Sequence, residues 1–107
     1  MLQPREAQFQ RTVIELAQLL GWRVHAERPA QTQSGRWSTP IQGDRGFPDL
    51  ILARDGRLVA LELKSQAGRI GPGQVEWIEA FAAAGATARI VRPSDWAWIE
   101  ATLRGER

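Results

Sequence analysis

The sequence has no cysteine, one histidine and one lysine among its 107 residues. Without cysteine there are no disulfides and no thiolate metal sites, and an intracellular, cytoplasmic setting is allowed. His25 has no second imidazole or thiol with which to complete a zinc-type site. It reads as a half-exposed structural side chain or a phosphate contact rather than a metal ligand. No apolar run approaches the length of a membrane span, and the N-terminal MLQPREAQF, polar and mixed in charge, does not read as a signal peptide. The shortage of lysine is informative because of where the single one falls. Thirteen arginines are spread along the chain, whereas Lys64 lies inside an apolar strand, away from the surface where lysine is ordinarily found.

What is present suits one globular domain over 1–107, with 43% hydrophobic and 24% charged residues and a net charge of +2. That length supports one core but not separate catalytic and recognition units. An arginine-rich surface fits a nucleic-acid partner, since guanidinium pairs bidentately with phosphate and stacks on bases. A GC-rich genome produces the same bias.

The spacing predicts a helix over 4–20, opened by Pro4 and closed by Gly21, with Phe9, Val13, Leu16, Ala17 and Leu20 as its buried stripe. Glu6, three residues before Phe9, shares that stripe. It is either a carboxylate at a site edge or a first-turn residue favoured by the helix dipole. A strand follows over 22–27. The polar stretch from Arg28 to Gly46 then reads as a long loop without periodicity. Its Arg28, Arg36, Trp37 and Arg45 suit phosphate contacts and base stacking; an Ω-loop pinned by a buried Trp37 is the alternative.

Asp55-Gly56 between two apolar runs predicts a two-residue hairpin whose central residues adopt positive φ. That turn sets Arg54 opposite Arg57, and the same register brings Asp49 opposite Glu62 as a non-hydrogen-bonded pair with Cβ atoms about 4.5–5.5 Å apart. Lys64, two residues beyond Glu62, shares the face. Like charges opposed on a sheet are destabilising unless neutralised, which a divalent cation would do. The Asp49 and Glu62 carboxylates and a strand carbonyl, that of Leu63, supply oxygens for Mg²⁺. Lys64 is then placed to orient or deprotonate a water for attack on a phosphodiester.

After the hairpin comes a glycine-rich connection over 65–73 with Arg69 at its middle, a further cation for a phosphate. A second helix over 74–84 is expected to pack Val75, Ile78, Phe81 and Ala82 on the sheet, with Gln74 in its first turn. The strand over 86–91 pairs parallel to the Glu62 strand, as strand–helix–strand connections require. Ser94 or Asp95 caps a last helix through Leu103, with Trp96, Ile99 and Leu103 inward. The expected order is αβββαβα, an α/β fold with a small mixed sheet flanked by helices.

Pro48-Asp49 with Glu62-Leu63-Lys64 resembles the PD-(D/E)XK nuclease superfamily. The fuller set resembles its VRR-NUC branch: Glu6, Gly43 through Leu50, Glu62 to Ser65, Gln74 with Trp77, and Arg92-Pro93-Ser94-Asp95. The resemblance covers nearly the whole chain. It implies a restriction-endonuclease-like core and a Mg²⁺- or Mn²⁺-dependent phosphodiesterase. Asp49 and Glu62 would be the metal ligands, Lys64 the catalytic lysine, and Glu6 (acting through a water) and Gln74 accessory site residues. Stand-alone members of the branch, often found in phages, are similar to Holliday junction resolvases and act as homodimers on branched DNA. A non-catalytic nucleic-acid-binding module, or a nuclease for RNA or other phosphate substrates, are the competing expectations.

Overall fold

The computed structural model describes residues 4–27, 30–31, 37–38 and 41–105. Helix α1 (Pro4–Leu19) leads into strand β1 (Arg23–Ala26). Two short strands, β2 (Ala30–Gln31) and β3 (Trp37–Ser38), precede the hairpin of β4 (Leu50–Arg54) and β5 (Arg57–Leu63). Helix α2 (Gln74–Ala83), strand β6 (Thr87–Val91), a 3₁₀ turn (Pro93–Asp95) and helix α3 (Trp96–Arg104) complete the chain. The main sheet has the order β1-β4-β5-β6, antiparallel except for the parallel β5–β6 pair that α2 connects. Its elements follow the expected αβββαβα order. The pairing of β2 with β3 is an addition, in a stretch whose polar sequence carries no strand periodicity.

The hairpin turn has φ of 50° at Asp55 and 77° at Gly56, the positive values that a two-residue turn needs. It sets the register from Arg54 opposite Arg57 to Leu50 opposite Leu61. Alternation then brings Leu50, Leu52, Val59, Leu61 and Leu63 to one face. There they form the core with Phe9, Val13 and Ala17 of α1, Ile99 and Leu103 of α3, and Trp22. The hairpin tip is tied down by its arginines. Arg54 Nη1 donates to Leu20 O at 2.8 Å and Arg57 Nη1 to Thr102 O at 3.2 Å, which places cations on the carbonyl ends of α1 and α3. Both guanidinium groups stack on Trp22, whose Nε1–H donates to Leu103 O at 2.9 Å. Part of the arginine bias is therefore structural.

The second helix departs from expectation. None of its residues is buried; Ile78 and Phe81 are half-buried, and Val75 and Ala82 are exposed. Helix α2 covers β5 and β6 where the facing pair is Ala60 and Ala88, residues too small to enclose it. Its larger rings turn sideways instead. Phe47 stands edge-on to Trp77 at 5.0 Å and to Phe81 at 5.8 Å, and Trp77 Nε1–H donates to Asp44 O at 3.2 Å. Asp95 also differs: it occupies the cap position of α3, but its Oδ2 accepts the Arg92 N–H at 2.8 Å and does not cap the helix. Among the described residues, no helix is long and apolar enough to cross a membrane.

Two glycines let the loop before β4 cross the start of α2. Gly46 (φ 96°) and Gly73 (φ 80°) lie backbone to backbone, and a Cβ on Gly73 would overlap the Arg45 carbonyl. Gly85 also has positive φ, but a Cβ there meets nothing within 4 Å. Gly85→Ala should therefore cost about 1 kcal/mol and Gly73→Ala at least about 3 kcal/mol in urea unfolding. Equal costs would show that the crossing is not tight.

Candidate active site

The site begins where the β4–β5 ladder stops. The last pair is Leu50 with Leu61, and the next position on β4 that would bond to β5 is Pro48, which has no N–H to give. Lys64 N–H donates to Val91 O at 2.9 Å, toward β6, so the N–H and C=O of Leu63 both point toward β4. The Leu63 N–H is taken by Asp49 Oδ2 at 2.9 Å. Its carbonyl is left facing the position where Pro48 cannot pair. Buried Pro48 thus leaves the Leu63 carbonyl without a ladder donor, while the Leu63 N–H goes to the Asp49 carboxylate.

Glu62, 2% exposed, comes next to Asp49, and the two carboxyls are within hydrogen-bonding reach of each other. Lys64 Nζ lies 3.3 Å from Glu62 Oε2. Gln74 Nε2 donates to the same oxygen at 2.8 Å, while Gln74 Oε1 accepts the Gly71 N–H at 2.6 Å, which fixes the amide's orientation. Glu62 Oε1 is buried with no partner among the described residues. Glu6 closes the group from α1: its Oε1 accepts the Ser65 N–H at 3.3 Å, and its charge acts on Asp49. All five side chains expected at the site, Glu6, Asp49, Glu62, Lys64 and Gln74, are brought together.

The electrostatics follow from burial. Burial pushes the Asp49 carboxyl above the ordinary carboxylate range, although the Leu63 N–H pulls it back. Glu62 is pushed up to about 8, first by burial and then by the negative charge of Asp49, with Lys64 acting in the opposite sense. Both shifts favour the protonated form of the pair in the metal-free protein. A divalent cation fits what is present: two carboxylates, an orphaned carboxylate oxygen and a carbonyl without a strand partner, all hard oxygen donors. Among the described residues, no three His, Cys, Asp or Glu side chains form a metal-binding group. Glu6 meets the site through the Ser65 N–H and through its charge on Asp49.

The expected nucleic-acid contacts are more scattered. Arg45 is exposed on the approach to Asp49, and Arg69 is exposed on the connection after Lys64. Arg28, Arg36 and the side chain of Trp37 lie outside the described residues. His25 is 68% exposed and 3.8 Å from Glu27, consistent with a surface role. A concavity of about 420 Å³ between Arg45, Trp77 and Ala80 borders Gly73 but includes none of the five site residues. Arg92 was not expected at the site. Its Nη1 donates to Ser65 O at 2.7 Å, Gly68 O at 2.8 Å and Gln66 O at 3.3 Å, in the turn just after Lys64. The available signal was its place in Arg92-Pro93-Ser94-Asp95, one of the stretches that carry the VRR-NUC resemblance, directly after the strand parallel to the one that leads into Lys64.

A carboxyl whose pKa is higher in the folded than in the unfolded state favours folding while protonated. That contribution is complete below the ordinary value of 4.5 and is lost as pH rises toward about 8. Each tenfold change in proton affinity is worth about 1.4 kcal/mol, so ionising Glu62 in metal-free protein costs several kcal/mol. With chelator present, the urea midpoint should fall between about pH 5 and pH 8, and Glu62→Gln should remove most of that slope. A wild-type midpoint that stays flat over this range would contradict the assignment.

Neither the family models nor the curated proteins compared with this sequence match it. Among solved structures, one described as a VRR_NUC domain superposes with a TM-score of 0.62, covering 90% of each chain at 22% sequence identity. At that identity the likeness is one of fold. The small mixed sheet with its flanking helices has the restriction-endonuclease-like α/β fold of a VRR-NUC domain.

Proposed function

We propose that this chain is a divalent-cation-dependent nuclease that hydrolyses phosphodiester bonds of DNA, selects branched substrates such as Holliday junctions, and acts as a homodimer with Mg²⁺ or Mn²⁺. The observation that carries the reading is buried Glu62 beside half-buried Asp49, with Lys64 on the same glutamate. Such a pair is costly in a structural role and useful in a metal site.

Asp49, Glu62 and the Leu63 carbonyl are the groups that would hold the cation. When bound, it supplies charge neutralisation at the phosphate and activation of water. The side chains do the rest. Lys64 orients the attacking water, whose proton passes to solvent. Gln74 holds Glu62 by one oxygen, which keeps the other oxygen turned to the site. As the water oxygen bonds to phosphorus, the opposite P–O bond breaks and the departing strand end takes a proton from solvent.

Support for DNA comes from the fold and from exposed Arg45 and Arg69 on the two connections that flank the site. Support for branched substrates and a dimer comes from resemblance to the stand-alone VRR-NUC branch.

The test is a cleavage panel of linear, flapped and four-way DNA with Mg²⁺, Mn²⁺ or chelator. Cleavage of four-way DNA is expected only with the cation. Lys64→Ala should lower kcat by at least about a hundredfold while the circular dichroism spectrum is unchanged. Equal rates for Lys64→Ala and wild type would overturn the mechanism, and cation-independent binding without cleavage would favour a binding module. Light scattering should give twice the monomer mass; a monomer that still resolves junctions would refute the dimer.

A further inference from the structure

Arg92 takes no part in the chemistry above, yet it is bonded to the segment on which that chemistry depends. It directly follows Val91, whose carbonyl accepts the Lys64 N–H, so its side chain starts beside the end of β5. Its own backbone is fixed: the Arg92 N–H donates to Asp95 Oδ2 at 2.8 Å, and the Arg92 carbonyl accepts the Asp95 N–H at 2.8 Å. From this base the guanidinium reaches three carbonyls of the 65–68 turn through one nitrogen. A second tie runs in parallel. Gln66 Nε2 donates to Ser94 Oγ at 3.0 Å, and Gln66 Oε1 accepts the Ser94 N–H at 3.1 Å.

The turn held in this way meets Glu6 closely. Ser65 N–H is its hydrogen-bond donor, and a Cβ on Gly68 would stand 2.8 Å from Glu6 Oε1 and 2.9 Å from Ser65 Oγ. The turn is itself closed by the Gly68 N–H on Ser65 O at 3.1 Å. Three carbonyls converging on one cation is a charge-assisted arrangement, stronger than the neutral bonds around it. Released from it, the Gly-containing turn has many conformations and the Ser65 N–H has no reason to stay on Glu6.

We infer that Arg92 is a positioning residue of the nuclease site: it fixes the 65–68 turn so that the Ser65 N–H holds Glu6 against the Asp49–Glu62 pair. The inference rests on the nuclease reading for its catalytic consequence, but its structural half can be read without activity. Arg92 contacts neither Glu62 nor Lys64, so its effect should pass through Glu6.

Two measurements decide it. In amide hydrogen exchange on metal-free protein, Arg92→Ala should speed exchange at Ser65 and Gly68 by at least about tenfold while Val59 and Leu61 are unchanged. In a double-mutant cycle on four-way DNA, Arg92→Ala should lower kcat about tenfold or more in the wild-type chain but less than about twofold in the Glu6→Gln background. A residue that merely supports the fold would give penalties that multiply. Multiplying penalties, or unchanged exchange at Ser65, would overturn the proposal. If Arg92→Ala does not fold, Arg92→Gln, too short to reach the turn, serves in both measurements. If the wild-type chain cleaves nothing, the nuclease reading fails, and exchange at Ser65 still decides whether Arg92 holds the turn.

Discussion

A carboxyl group buried beside a second carboxylate is expensive, because it loses hydration worth several kcal/mol and the neighbouring charge raises the cost of ionising it. Asp49 and Glu62 accept that cost at the end of the β4–β5 ladder. Most of the unusual features of this small domain can be traced to making that juxtaposition possible. Pro48 has no N–H for the Leu63 carbonyl at the position where the ladder ends, and Asp49 takes the Leu63 N–H. Gln74 and Lys64 converge on one oxygen of Glu62 and leave the other without a partner.

The surrounding elements can be seen as means of holding those groups in place. Gly46 and Gly73 bring the loop before β4 and the start of α2 into backbone contact, and this sets Gln74 over Glu62. The cluster of Phe47, Trp77 and Phe81 fastens the same crossing from the side. Helix α1 packs its stripe of Phe9, Val13 and Ala17 into the core and so carries Glu6 to the end of the sheet. Rigid elements position the site, which is the condition for a catalytic arrangement to hold its geometry.

Much of this was legible in the residues. Asp55-Gly56 determines a turn whose chemistry leaves little choice of register, and the register alone brings Asp49 to Glu62 and places Lys64 on the same face. The stripes of α1 and α3 were legible because both helices bury a full face. The face of α2 was not, since its apolar residues are as periodic as those of a buried helix while the strands beneath present small Ala60 and Ala88 beside Glu62 and Ile90. The bonding of Arg54, Arg57 and of Arg92, itself part of a recognised stretch, was hidden for another reason: a guanidinium bonded to carbonyls looks, in sequence, like one available to phosphate. The Ser65 contribution to Glu6 is a peptide N–H and has no side-chain signature.

The central claim is that Asp49 and Glu62 are held side by side in order to share a cation. Crystals grown with Mn²⁺ test it most directly, through the anomalous signal of the metal. The account predicts a peak within direct ligand distance of carboxylate oxygens from both Asp49 and Glu62, on the side of the Leu63 carbonyl. Saturating Mn²⁺ with no peak between the two carboxylates, or with a peak only elsewhere on the surface, would contradict it.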